Sequence, residues 1–496
     1  MTTVTVTSQH TVRGANETSW TTLDDPFRLG PFDHLVPPFI PITAVFVYEK
    51  PPAPTPDAEL IPIDRFQRAL SLLLEYYPHL TGRLQFNSSD GTPEITRPGT
   101  GAAFLVAQCS ERLATFSSEG RRVLMENLPG AGNALIPPFD PSPEGLCRDS
   151  FFTIQHTRFA CGSVALGVRL HHMVCDADGF LQLVRDLAEL YRGLQGSITD
   201  TPSLVHPPHI RSYLWELSGG NMTAEQQQAA LDYKPLLHRI EPIADNKVTG
   251  AAAGMPSSPP GPAVPPARVI GRSVRFSSRE LETLKAQATD PHGSPDDFIS
   301  TFDALTAHLY QRVYRARLQL RTNDPSLGEL SPPDFLTPVN VRSRLGLPAR
   351  YFPNSLCTVH TSLPPDVLVS APLWQVAKAV HDLTRIAPAA GKEETGRMLR
   401  WIAAQPDKRQ IRSRFRYGSG SLTLSQWNKF DMYTTTVFDG PPVFVGLPFT
   451  AITLLDGLGF LLPTEERAGG DAGAIDVNLS LTEPVWEIFD RDEPIA

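Results

Sequence analysis

Residues 164–191 constrain this chain more tightly than any other stretch. Val164, Leu166, Val168 and Leu170 alternate with smaller or polar residues, the period of a strand with one buried face. His172 continues that row and projects from the same face where the strand stops. Asp176-Ala177-Asp178-Gly179 is turn chemistry. Phe180, Leu181, Leu183, Val184, Leu187, Leu190 and Tyr191 then recur at helical spacing, with Asp176 or Asp178 placed to cap the helix. A histidine therefore sits where a strand ends and a tight turn leads into a helix, a place that holds a side chain rigidly at the edge of a cleft.

A neutral imidazole there can take a proton from an alcohol or amine as it attacks an activated acyl group. Asp176 either fixes the turn or orients the ring. The competing reading is structural: a satisfied core histidine and two helix-capping aspartates. Cys175 is adjacent in sequence, but neighbours along a turn point apart, so it is not expected as a nucleophile.

The totals narrow the field. A chain of 496 residues, 41% hydrophobic, can bury a large core and is expected to form more than one domain. A net charge of -9 argues against a general nucleic-acid binder, so a polyanionic ligand would need a local basic pocket. The five cysteines (Cys109, Cys147, Cys161, Cys175, Cys357) lack metal-ligand spacing and read as reduced thiols; no metal site is expected. The N-terminus lacks a basic region followed by an apolar core, and no apolar run is long enough to span a bilayer. Glu493-Pro494-Ile495-Ala496 matches no retention signal, and the expected location is cytoplasmic.

Along the chain, residues 1–20 read as a fraying or edge segment, and Thr43–Tyr48 as a short strand. Asp64 is placed to cap a helix with an apolar face of Phe66, Ala69, Leu70, Leu72, Leu73, Leu74 and Tyr77, stopped by Pro78. Ala102–Val106 and Phe151–Gln155 read as strands, the latter a partner for the strand before His172. Residues 246–272 are rich in proline, a linker by composition. A strand at Val274–Phe276 precedes a helix capped by Ser277 or Ser278. Residues 296–317 read as a helix with Phe298, Phe302, Leu305, Leu309 and Val313 on one face, and His308 as exposed or capping. Arg342 and Arg344 are read as lying on one face of a strand edge, because they are two apart. Residues 406–416 form the most basic run, and 475–481 alternate strictly before a short closing helix.

His172-x-x-x-Asp176 in this setting resembles the HxxxD motif of the BAHD-type, acyl-CoA-dependent acyltransferases. The doubled His171-His172 is shared with nonribosomal-peptide condensation domains. Plant members place Gly directly after the Asp; here Ala177 and Asp178 intervene before Gly179, which looks more like a fungal member. Other segments follow in order. Leu23-Asp24 resembles the early LD, and Tyr76–Leu84 the YYPxAGRL segment. Val339–Arg344 resembles V-(N/D)-x-R-x-R, and Tyr351–Ser355 the Y-F-G-N turn. Ser425-Gln426-Trp427 resembles T-S-W. Residues 436–443 resemble an altered D-F-G-W-G-K-P-V, with Thr436 for Asp and Phe438 for Gly.

The resemblance implies an α/β protein of two chloramphenicol-acetyltransferase-like domains, with mixed sheets flanked by helices and a central solvent channel. The expected division is 1–205 for the domain carrying HxxxD, 206–272 for a crossover linker and 273–496 for the second domain. It implies acyl transfer from acyl-CoA, the co-substrate, to a small-molecule alcohol or amine in specialised metabolism, by a monomer with no permanently bound cofactor, no nucleic acid partner and no membrane insertion. His172 is then the general base, and Asp176 is locked by Arg342 rather than catalytic. Ser425 becomes a candidate oxyanion donor, Trp427 a channel residue, and Arg412 and Arg414 candidates for the phosphates of coenzyme A. The alternatives are a condensation-type domain fed by a carrier protein, or a relative that binds ligand without turnover.

Overall fold

In the computed structural model the apolar rows around 41–48 and 164–171 lie side by side as antiparallel strands. The structure describes residues 3–51, 59–117, 122–195, 201–212, 214, 222–242, 267–294, 298–385, 391–465 and 473–491. The first sheet uses β1 (Val4–Val12), β2 (Pro41–Tyr48), β3 (Ala102–Cys109), β4 (Phe152–Phe159) and β5 (Val164–His171). Its order is β1-β3-β4-β5-β2, and the row is closed by a sixth strand, Phe444–Gly446, from far along the chain. β1 is the exposed edge.

One face of β5 was expected to be buried, yet all eight of its residues are. The second face is covered by residues 125–139. A Cβ on Gly167 would lie 1.9 Å from the Leu135 carbonyl, and Arg169 donates to the Pro137 carbonyl at 2.9 Å. The strand carrying the motif is thus clamped from both sides, which fixes where it ends.

Two helices pack on this sheet. α1 (Ile63–Tyr76) buries Phe66, Ala69, Leu70 and Leu72–Leu74. Asp64 does not cap it: the cap position is Pro62, which makes no side-chain bond, and Asp64 lies in the first turn, where a negative charge suits the helix dipole. α2 (Ala177–Gly193) is the helix after the motif.

The second sheet contains β7 (Val269–Phe276), β8 (Asp334–Asn340), β9 (Leu356–Ser362), β11 (Leu422–Gln426), β13 (Leu458–Pro463) and β14 (Ile475–Thr482), in the order β7-β14-β13-β11-β8-β9. The intervening numbers belong to a two-stranded ribbon, β6 (His238–Ile240) with β10 (Ile411–Ser413), and to β12, the Phe444–Gly446 strand. Of the expected linker, residues 213, 215–221 and 243–266 lie outside the described residues. Its described flanks carry α3 (Ala224–Asp232) and β6, and β7 begins at Val269.

α4 (Ser278–Gln287) starts at a capping box of Ser277 with Glu280, and α5 (Thr301–Asn323) at one of Ser300 with Asp303. That second box sets the start of α5 later than the apolar spacing indicates. Phe298 precedes the helix and is 59% exposed, edge-on to His381; residues 295–297 lie outside the described residues. His308 is neither exposed nor capping: it is half-buried in mid-helix, edge-on to Phe276, and burial lowers its pKa to about 4. No described helix is long and apolar enough to cross a membrane.

The two sheets are tied together where the chain returns to the first. Just before β12, Phe438 enters the first core, edge-on to Tyr48 and Tyr191. Where the altered motif has lost a glycine, it has gained a core aromatic. Next to it, Asp439 accepts from the Ile61 amide (2.6 Å), the Tyr191 hydroxyl (2.9 Å), Gln195 (3.1 Å) and Arg65. Ile61 is fully buried at φ +48°, a strained conformation for a β-branched residue. Asp439→Ala should therefore cost about 1–3 kcal/mol in urea unfolding, because it orphans the buried Ile61 amide. An unchanged midpoint would contradict this.

Candidate active site

β5 ends at His171, and His172 takes the first position beyond it. The backbone there is fixed twice: the His172 amide donates to the Ile40 carbonyl (3.2 Å), and the His172 carbonyl accepts from the Asn354 side chain (2.8 Å). The two neighbouring histidines differ sharply. His171 Nδ1 accepts from the Met173 amide (3.2 Å) and its Nε2 donates to the Pro38 carbonyl, so both nitrogens are used in holding the turn. Burial lowers its pKa to about 4 and keeps it neutral. His172 is half-buried, and its enclosed Nδ1 has no hydrogen-bond partner among the described residues. Burial also lowers the His172 pKa; its own carbonyl, the Asp176 charge, Asn354 and the Cys175 carbonyl act in the opposite sense.

Asp176 is fully buried and saturated. Its Oδ1 accepts from the Asp178 amide (3.1 Å), the Gly179 amide (3.2 Å) and Arg342 Nη2 (2.8 Å). Its Oδ2 accepts from Arg342 Nη1 (2.8 Å) and the Ser355 amide (2.9 Å). It thus caps α2 and pairs through both oxygens with an arginine of the other half. No lone pair is left to orient His172. Burial acts to lower the Arg342 pKa, but the charge and hydrogen bonds of Asp176 offset this, and the net shift is upward.

Arg342 and Arg344 do not share a strand face. β8 ends at Asn340, whose side chain accepts the Arg342 amide (3.0 Å), and the arginines fall on a single helical turn, α6 (Arg342–Leu345). Two residues apart on a helix diverge. Arg342 turns inward to Asp176 and to the Tyr351 and Pro353 carbonyls, whereas Arg344 donates to the Thr384 carbonyl.

The 351–355 turn packs against the start of α2. A Cβ on Gly179 would lie 2.2 Å from the Phe352 carbonyl, so this glycine permits the two halves to touch. Asp33 and Asn354 complete the node, and residue spacing alone did not mark Asp33. The early Leu-Asp resemblance fell on Asp24, which is exposed and paired with Arg211; the buried aspartate is Asp33, nine positions on. Its only sequence signal was the adjacent Pro31 and Gly30 turn. Burial pushes the Asp33 carboxyl up to about 8, against the lowering effect of Asn354 and the Gly30 amide.

Ser425 lies on β11 and Trp427 just after it. The Trp427 indole is 5% exposed in the first core, 6.5 Å from the ring of Phe180 in the first turn of α2, and donates to Ser425 Oγ at 3.1 Å. These residues therefore approach the motif helix from the second half. The basic run lies apart from this node, on and around β10. Lys408 pairs with Asp90, Arg409 with Asp407 and Arg416 with Asp334. Arg412 donates to the Arg409 and Ile411 carbonyls and Arg414 to the His238 carbonyl; among the described residues neither has a carboxylate partner. No described group of His, Cys, Asp and Glu has the arrangement of a metal site.

Two α/β halves locked through a His-x-x-x-Asp turn define a two-domain acyltransferase. The chain belongs to the Transferase family, whose model matches residues 2–493, and is an acyl-CoA-dependent acyltransferase of the BAHD type. It is 25% identical to shikimate O-hydroxycinnamoyltransferase of Nicotiana tabacum, over 82% of each chain. It is 27% identical to hydroxycinnamoyl-CoA:5-hydroxyanthranilate N-hydroxycinnamoyltransferase HHT1 of Avena sativa, over 92% of this chain and 93% of that one. The fold is shared with F. sporotrichioides TRI101, solved with coenzyme A and T-2, at a TM-score of 0.68 and 19% identity over 95% of this chain and 98% of that one.

Gly179→Ala should force the α2 start away from the Phe352 carbonyl and cost about 1–3 kcal/mol of stability by urea unfolding, with lower activity. A variant as stable and active as the parent would contradict this packing.

Proposed function

We propose that the protein moves an acyl group from acyl-CoA to a hydroxyl of a small-molecule acceptor in specialised metabolism, with His172 as general base. The tobacco relative is named for O-transfer and the oat relative for N-transfer, so an amine is the second acceptor class to test. The observation that carries the reading is the contrast within the histidine pair: both ring nitrogens of His171 are committed, while Nδ1 of His172 has no hydrogen-bond partner among the described residues.

In this mechanism a ring nitrogen of His172 takes the acceptor proton as the acceptor oxygen bonds to the thioester carbon. The carbonyl electrons move onto oxygen, with Ser425 as donor to that oxyanion. Its Oγ already accepts from Trp427, which leaves the hydroxyl proton to give. Collapse breaks the C–S bond, and the imidazolium returns its proton to the thiolate. The products are acylated acceptor and free coenzyme A. Asp176 takes no proton: its role is to hold the turn through Arg342. Arg412 and Arg414 meet the phosphates of coenzyme A, supported by their lack of carboxylate partners among the described residues, beside Lys408, Arg409 and Arg416, which are each paired. A solvent channel between the halves, a monomeric state and a cytoplasmic location complete the proposal.

A panel of acetyl-CoA and a hydroxycinnamoyl-CoA against alcohols and amines, scored by free thiol and product mass, tests the reaction. His172→Ala should keep its circular dichroism spectrum and lose about 10²- to 10⁴-fold in kcat; full activity would remove His172 from the mechanism. A base must be neutral, and burial lowers its pKa, so kcat/KM should stay level near neutrality and fall only below the ordinary histidine value of about 6.5. An acid limb centred above that value would contradict the assignment. Arg412→Ala with Arg414→Ala removes two charge-assisted contacts and should raise KM for acyl-CoA by at least about tenfold, with kcat unchanged; an unaltered KM would exclude them from the phosphate site.

A further inference from the structure

Asp176 spends both oxygens on Arg342 and three backbone amides, and the His172 Nδ1 has no hydrogen-bond partner among the described residues. The imidazole is therefore not aimed by a carboxylate, as it is in a catalytic triad. Its direction has to come from the backbone that carries it. One side of that backbone is held by the Ile40 carbonyl. The other, among the described residues, is held by Asn354.

Asn354 belongs to the 351–355 turn of the second half and is 2% exposed. Its amide nitrogen carries two hydrogens. One goes to the His172 carbonyl at 2.8 Å and the other to Asp33 Oδ1 at 2.6 Å. A carbonyl only accepts, so the nitrogen and not the oxygen of Asn354 has to face it. Asp33 is anchored in turn by the Gly30 amide and by the Asn354 backbone amide (3.3 Å). The next residue, Ser355, donates to Asp176. One turn thus grips the His172 backbone with its side chain and the Asp176 side chain with its backbone.

We propose that Asn354 is a positioning residue for His172, its side-chain amide holding the His172 carbonyl from the opposite half while Asp33 holds the amide. The proposal rests on His172 being the base. Asn354 is buried, and it acts by setting where the imidazole points; a displacement of about 1 Å at a reacting group is worth about 10²-fold in rate.

The test is a double-mutant cycle in kcat on the full chain, using the acyl-CoA and acceptor that turn over fastest in the panel above. Asn354→Ala should lower kcat roughly 10- to 100-fold, with KM for both substrates unchanged. In a His172→Ala background the same substitution should change residual turnover by less than about twofold, since the group it positions is gone. If Asn354→Ala does not fold, Asn354→Asp, which keeps the shape and removes the donor nitrogen, makes the same comparison. A full rate in the single variant, or an equal loss in both backgrounds, overturns the proposal while leaving His172 as base. Full activity of His172→Ala overturns both.

Discussion

The bidentate pair between Asp176 and Arg342 is the contact on which the rest of the site depends. The two residues are 166 positions apart, one capping α2 and the other on α6, and the carboxylate is completely enclosed. A buried charge is tolerated only when every lone pair is satisfied. Here that condition recruits the N-terminus of α2, the 351–355 turn and α6 to one point. The geometry of the node follows from satisfying one anion.

From that node the position of the imidazole follows. Asp176 caps α2, so the distance from the end of β5 to the helix is set by the turn between them. Gly179 lets the Phe352 carbonyl approach, and the same turn presents Asn354 to the His172 carbonyl. The aspartate of the motif is thus structural in a specific sense: it assembles the backbone that carries the base. A second tie, Asp439 with Phe438, docks the returning chain against α1 and α2, so the halves are held at separate places.

Much of this was legible in the chain. The strand–turn–helix at 164–191 was visible because apolar periodicity changes from two to about three and a half at the aspartates. Ser277 and Ser300 head their helices because capping boxes are local patterns. What was not legible is what depends on distant partners. The second buried face of β5 exists because residues 125–139 fold over it, and no local period records that. Arg342 reads as a strand residue from its two-residue spacing to Arg344, but the strand ends at Asn340, whose side chain accepts the Arg342 amide. Asp33 carried no motif of its own; it matters through Asn354, 321 residues away. Phe438 read as a defect in a motif because its aromatic neighbours, Tyr48 and Tyr191, lie in the other half.

The most direct test of the account is a double-mutant cycle on stability with Asp176→Asn and Arg342→Met, followed by urea unfolding. Each single change strands a buried group and should cost about 3–5 kcal/mol. The double variant should be less destabilised than the sum of the two by at least about 1–3 kcal/mol, the range for groups in direct contact. Additive losses would mean that the two halves are not joined through this pair.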